Sequence, residues 1–196
     1  MRIIAGQYGG RRLKAVPGMK TRPTTDKIKE SMFNIIGPYF KGGTALDLFA
    51  GSGGLSIEAV SRGVSEAYLV DRQYQAIKTI KENVVVTKEE KRFHIIKADA
   101  KKALFNFATN HLQFNYVFLD PPYKLQQIVT NLKQMQQNNL LAPQALIVCE
   151  TDQMANLPHE LVNFKFIKSV TYGITVLTIY CYEGGLKNEG SFSRKF

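Results

Sequence analysis

Residues 46–59 read LDLFAGSGGLSIEA. An apolar run enters four residues of glycine and serine, Gly51 to Gly54, and an apolar-periodic run leaves them. That is a strand, a tight turn and a helix. Glycines in such a turn let the backbone approach a ligand closely, and the helix start offers unpaired N–H groups. Two nucleotide readings fail on detail. A phosphate-binding P-loop needs Gly-Lys-Ser/Thr, and none is present. A dinucleotide fingerprint wants a third glycine where Ser56 stands.

Outward from this stretch the pattern alternates. AYLVD, RFHIIKAD, NYVFLD and ALIVCE read as strands, and YQAIKTIKENVVV, KKALFNFAT and LQQIVTNLKQMQQ as helices between them. Such alternation means βαβ units and a mostly parallel sheet. FKFIKSVTYG and ITVLTIYCYE follow without room for a crossover helix, so the last strand pair is expected to be an antiparallel hairpin near an edge. Before the glycine turn, DKIKESMFNII spaces Ile28, Met32, Phe33 and Ile36 as a helix, with Thr25 as its N-cap and Gly37-Pro38 as its stop.

Three consecutive strands end in Asp47, Asp71 and Asp99. In an open α/β sheet these ends share the ligand-binding edge. Asp47 can face a cationic amine, Asp71 the two hydroxyls of a ribose, and Asp99 an adenine amino group. Each aspartate alone also reads as a turn or cap residue; together they suit S-adenosylmethionine. The fourth strand ends in Asp120, Pro121, Pro122, Tyr123. Two prolines remove two N–H donors and leave carbonyls to accept. Asp120 and the Pro121 carbonyl can take both hydrogens of an exocyclic base amine, and Tyr123 can stack on the base.

The chain has 196 residues and a net charge of +10, which suits one compact domain. Its first 30 residues carry eight basic side chains against Asp26 and Glu30. Arg2, Arg11, Arg12, Lys14, Arg22, Lys27 and Lys29 are therefore candidate RNA contacts, and Gly9-Gly10 suggests a hairpin turn within the arm. The domains expected are a basic RNA-binding extension over 1–24, a catalytic domain over 25–183, and a flexible tail over 184–196. No apolar run approaches the ~18 residues of a membrane span, and residues 1–13 lack a signal-peptide core, so a cytoplasmic protein is expected. Cys149 and Cys181 read as buried reduced thiols. No CxxC or histidine cluster predicts a metal site.

LDLFAGSGGLSIEA, the VD at 70–71, the AD at 98–99 and DPPY resemble class I S-adenosylmethionine-dependent methyltransferases that act on exocyclic amines. RIIAGQYGGRRL, RPTTDKIKESMFNII and the SRG at 61–63 resemble one family in particular, the bacterial 16S rRNA guanine-N2 methyltransferases. The resemblance implies a Rossmann-like, mostly parallel seven-stranded sheet flanked by helices, with a small basic N-terminal β-hairpin. It implies that the Gly51–Gly54 loop, with Ser52 and Gly53, holds the methionine part of the donor, Asp71 the ribose and Asp99 the adenine. Asp47, Phe49, Ala50, Arg72 and Ala100 would complete the donor-binding set. Asp120, Pro121, Pro122 and Tyr123 would receive the guanine. The implied partner is 16S rRNA in an assembled or partly assembled small subunit, met by a monomer. Lys27 and Lys29 stand where arginines are usual, which keeps charge but loses a bidentate fork. The same tetrapeptide also serves an adenine-N6 or cytosine-N4 DNA methyltransferase. An idle RNA-binding assembly factor on the same fold is the third reading.

Overall fold

The computed structural model describes residues 1–18, 25–122 and 127–184. Arg22 and Tyr123 lie outside the described residues, as does the expected tail from residue 185 onward.

The alternation read from the sequence is the architecture. Helix α1 (Asp26–Ile36) precedes β1 (Thr44–Asp47), α2 (Gly54–Ser61), β2 (Glu66–Asp71), α3 (Tyr74–Val85), β3 (Phe93–Lys97), α4 (Ala100–Thr109), β4 (Phe114–Leu119), α5 (Ile128–Gln137) and β5 (Leu141–Asp152). Strands β6 (Glu160–Leu161), β7 (Phe164–Tyr172) and β8 (Thr175–Tyr182) close the chain. The sheet order is β3-β2-β1-β4-β5-β8-β7-β6. Strands β1 to β5 pair in parallel; β8 runs antiparallel to β5 and to β7. The seven strands expected are present, with the last long pair antiparallel. The two-residue β6 adds an eighth at the edge, too short to leave a period-2 signal. Gly173 at φ 59° turns β7 into β8, a backbone conformation that costs glycine nothing.

Connections leave β1 toward β2 on one side, while β4 lies on the other. The strand order therefore reverses at β1, and the crevice above its carboxyl end is where such sheets bind ligands. Alternating side chains feed two cores. Ala45, Phe118 and Val148 face the layer that holds Met32, Phe33, Ile57 and Ile80. Leu46, Val117 and Ile147 face the layer that holds Phe107 and Leu132. Burying a side chain such as Phe33 stabilises by about 1.5–3 kcal/mol.

Helix α1 begins as its sequence predicts. The Thr25 hydroxyl accepts from the Ile28 N–H at 3.3 Å, a cap worth about 1 kcal/mol. Gly37, at φ 126°, ends it.

Residues 1–18 form less ladder and more packing than a hairpin reading predicts. Ile3 donates to the Arg11 carbonyl at 2.9 Å and Gly10 to Ile3 at 2.8 Å, but the only strand-like pairing in this segment is the Arg2–Arg12 bridge. Ile3, Tyr8 and Leu13 are buried in the same core as α1 and α2. The Glu58 carboxylate, on α2, accepts from the N–H groups of Ile4 at 2.7 Å and Ala5 at 3.0 Å. Gly6 packs so tightly on the end of α2 that a Cβ would stand 1.8 Å from the Ser61 carbonyl oxygen. This glycine serves contact with the protein's own helix, not approach to a phosphate.

Candidate active site

Strand β1 delivers Asp47 to the switch point, and the chain then turns through Leu48–Gly53. Three backbone bonds fix the turn: Leu48 N–H to Phe118 O at 3.2 Å, Ala50 N–H to Val70 O at 2.8 Å, and Gly53 N–H to Ala50 O at 2.7 Å. Neighbouring strands thus hold the loop from both sides. Gly51 has φ 53°, and a Cβ there would meet no atom within 4 Å. Its backbone is the wall of a cleft of about 540 Å³, a size in the range of small-molecule sites.

Asp47, Phe49, Ala50, Gly51, Ser52, Asp71, Arg72, Asp99, Ala100, Asp120, Pro121 and Pro122 all line this cleft. Gly53 does not. It stands behind the loop at φ 79°, where a Cβ would be 3.0 Å from the Leu69 side chain. Its role is to let α2 pack on the sheet, as expected of a glycine whose neighbour is another element.

The aspartates have structural work as well. Asp71 accepts from Gly51 N–H at 2.9 Å through one oxygen and from Gln73 N–H at 2.8 Å through the other. Asp99 caps α4 by accepting from Lys102 N–H at 2.9 Å. Asp47 is 1% exposed. Its Oδ2 accepts from the Ser56 hydroxyl at 3.2 Å. Its Oδ1 has no partner among the described residues. Ser56 therefore replaces the fingerprint glycine with a hydroxyl that serves the buried carboxylate. Burial, and secondarily the charge of Asp71, pushes the Asp47 pKa up to about 7.

Asp120 follows β4 in the same cleft. Burial, then the charges of Glu150 and Asp47, hold its pKa well above the usual carboxylate range. Glu150, on β5, is buried and lines the cleft. The pattern of ALIVCE predicts a strand and does not single out this residue. The signal is in the chain: like the four strands before it, this one ends its apolar run in a carboxylate.

The cleft suits the expected donor. An orphaned buried carboxylate oxygen, a glycine-walled cradle and several desolvated acids favour a cationic ligand and repel a phosphate ester. Asp47 and the Gly51 loop would hold the methionine end, Asp71 the ribose and Asp99 the adenine.

The basic residues divide. Arg12 and Lys27 are exposed. Arg2 pairs with Asp26 at 3.0 Å and Lys14 with Glu82 at 2.9 Å, both at the surface, where such pairs are weak and exchangeable. Arg11 donates to the Val86 and Thr87 carbonyls at 2.7 and 3.1 Å, closing the end of α3. Lys29 corrects the expectation of a phosphate contact. It is 1% exposed, pairs with Glu58 at 3.2 Å and donates to the Arg2 carbonyl. Its charge balances a buried acid between α1, α2 and the arm, at the lining of the cleft rather than on the outer surface.

Comparison with known proteins gives a consistent picture. The family model described as "Conserved hypothetical protein 95" matches residues 1–181. A Bacillus subtilis relative, "Putative rRNA methyltransferase YlbH", is 46% identical over 184 residues, covering 94% of this chain and 100% of the relative. "Ribosomal RNA small subunit methyltransferase D" of Escherichia coli is 31% identical over 180 residues, covering 92% of this chain and 89% of the relative. A solved Streptococcus pyogenes structure, described as a conserved hypothetical protein, superposes with a TM-score of 0.76 at 46% identity. It covers 80% of this chain and 96% of its own.

Proposed function

The chain belongs to the family of ribosomal RNA small subunit methyltransferase D, and from that premise we propose that it methylates the exocyclic N2 amine of a guanine in 16S rRNA. One observation carries the reading: Asp120 and Pro121 share a single cleft with the glycine loop at Gly51. An amine acceptor and a methyl-donor cradle are thus neighbours.

S-adenosylmethionine, when bound, supplies an electrophilic methyl group on a sulfonium. The protein's own part is alignment and charge. A guanine amine is a poor nucleophile because its lone pair is delocalised into the ring. The Asp120 carboxylate and the Pro121 carbonyl accept its two hydrogens and favour a pyramidal nitrogen. Preorganised partners of this kind are worth ~3 kcal/mol in a transition state. Burial among acids makes Asp120 a stronger base, suited to take the proton the amine loses.

Arg2, Arg12, Lys14 and Lys27 make the polyanion-facing surface. The substrate is the assembled or partly assembled small subunit, the protein acts as a monomer, and the compartment is the cytoplasm. Among the described residues no helix is long and apolar enough to cross a membrane. The test is incubation with methyl-labelled donor and, in parallel, small subunits, naked 16S rRNA or duplex DNA. Label in subunits supports the reading; label in DNA alone, or in nothing, overturns it.

A further inference from the structure

Glu150 has no part in the reaction as described, yet the fold places it beside the amine acceptor. Strands β4 and β5 are parallel neighbours in register, Phe118 with Val148 and Leu119 with Cys149. One step on stand Asp120 and Glu150, at the carboxyl edge of adjacent strands about 4.8 Å apart. Asp47 registers with Phe118, and Glu150 lies two residues past Val148, so both share that face of the sheet. Glu150 is 4% exposed and lines the same cleft as Asp120 and Pro121. Its charge acts on Asp120 directly.

Two adjacent carboxylates form a pair of acceptors. Among the standard bases, guanine alone sets a ring N–H beside an exocyclic amine, presenting two adjacent donors. Adenine and cytosine set a ring-nitrogen lone pair beside theirs. We propose that Glu150 is a specificity-determining residue that accepts the guanine N1–H while Asp120 takes the N2 amine. This rests on the guanine-N2 reading above. An ionised carboxylate accepts along about four lone-pair directions, so Glu150 can keep a protein partner and still take one ligand N–H. A base with a lone pair at the ring position meets a buried carboxylate with nothing to donate, which discriminates strongly.

The test uses small subunits reconstituted with 16S rRNA that carries, at the mapped target, either guanine or 2,6-diaminopurine. The second base keeps the N2 amine but turns N1 into an acceptor. Wild-type protein should methylate guanine at least ~10-fold faster; equal rates overturn the proposal. Glu150→Gln, whose amide can donate or accept, should bring the ratio toward one. An unchanged ratio overturns the role of Glu150 and leaves the guanine-N2 reading intact. If Glu150→Gln turns over neither base, Glu150→Asp is read instead. It keeps the acceptor and should keep the preference for guanine, and a lost preference overturns the proposal. If wild-type protein puts no methyl on guanine N2, the underlying reading fails and this one with it.

Discussion

The Asp71 carboxylate accepts a hydrogen bond from the Gly51 backbone N–H at 2.9 Å. The acid at the end of β2 thus holds the glycine loop that follows β1, so the parts of the cleft proposed for ribose and for methionine are tied together. Its second oxygen holds Gln73 N–H, fixing the start of α3. Asp71→Ala removes both anchors and the proposed ribose contact. Charge-assisted bonds of this kind are worth about 1.5–3 kcal/mol. Donor affinity by calorimetry should fall roughly 10- to 150-fold; an unchanged affinity would place the ribose elsewhere.

Asp120→Ala separates chemistry from binding. Methyl transfer should fall by ~10²–10³ in kcat, while the donor still binds, because the glycine loop and Asp71 are untouched. Turnover equal to wild type would remove Asp120 from the amine.

The raised pKa of Asp47 makes donor binding depend on pH. In the free protein this carboxyl is protonated below about 7. A cationic ligand favours the carboxylate and lowers that pKa. Binding in this window must therefore release a proton, so affinity rises with pH up to about 7 and levels above it. Calorimetry at pH 6 in two buffers of different ionisation enthalpy measures the release. No proton release at pH 6 would mean that Asp47 does not sense the ligand's charge.

Lys27 and Lys29, two residues apart, should behave oppositely on substitution. Lys29→Ala takes one of two cations from the buried Glu58 carboxylate, which keeps Arg62 at 2.8 Å and the Ile4 and Ala5 N–H groups. The cost should stay below the ~3–5 kcal/mol of a buried charge left with no partner, and still read as a clear drop in Tm. Lys27→Ala should leave Tm nearly unchanged and lower the salt slope of RNA binding by about 0.7–0.9. A stable Lys29→Ala variant, or an unchanged slope for Lys27→Ala, would contradict the division made here.

The strand–turn–helix at 46–59 was legible because each step leaves a local mark: an apolar run, then glycines, then helical spacing. So were the Thr25 cap and the Gly173 turn. What escaped depends on partners distant in sequence. Charge alone makes Lys29 a surface cation, yet it falls on the buried stripe of α1 with Ile28, Met32, Phe33 and Ile36. Its counter-ion, Glu58, is visible only once α1 and α2 pack together. Gly51 and Gly53 look alike in the chain, yet one walls the cleft and the other receives Leu69. Glu150 acquires meaning only from the register of β5 on β4.

On the proposed function, the Asp120–Pro121 acceptors and the Gly51 cradle meet around one guanine amine. The most direct measurement is nucleoside analysis of 16S rRNA from small subunits methylated by this protein with labelled donor. All label in N2-methylguanosine, at one position, is the predicted result. Label in N6-methyladenosine or N4-methylcytidine would contradict it.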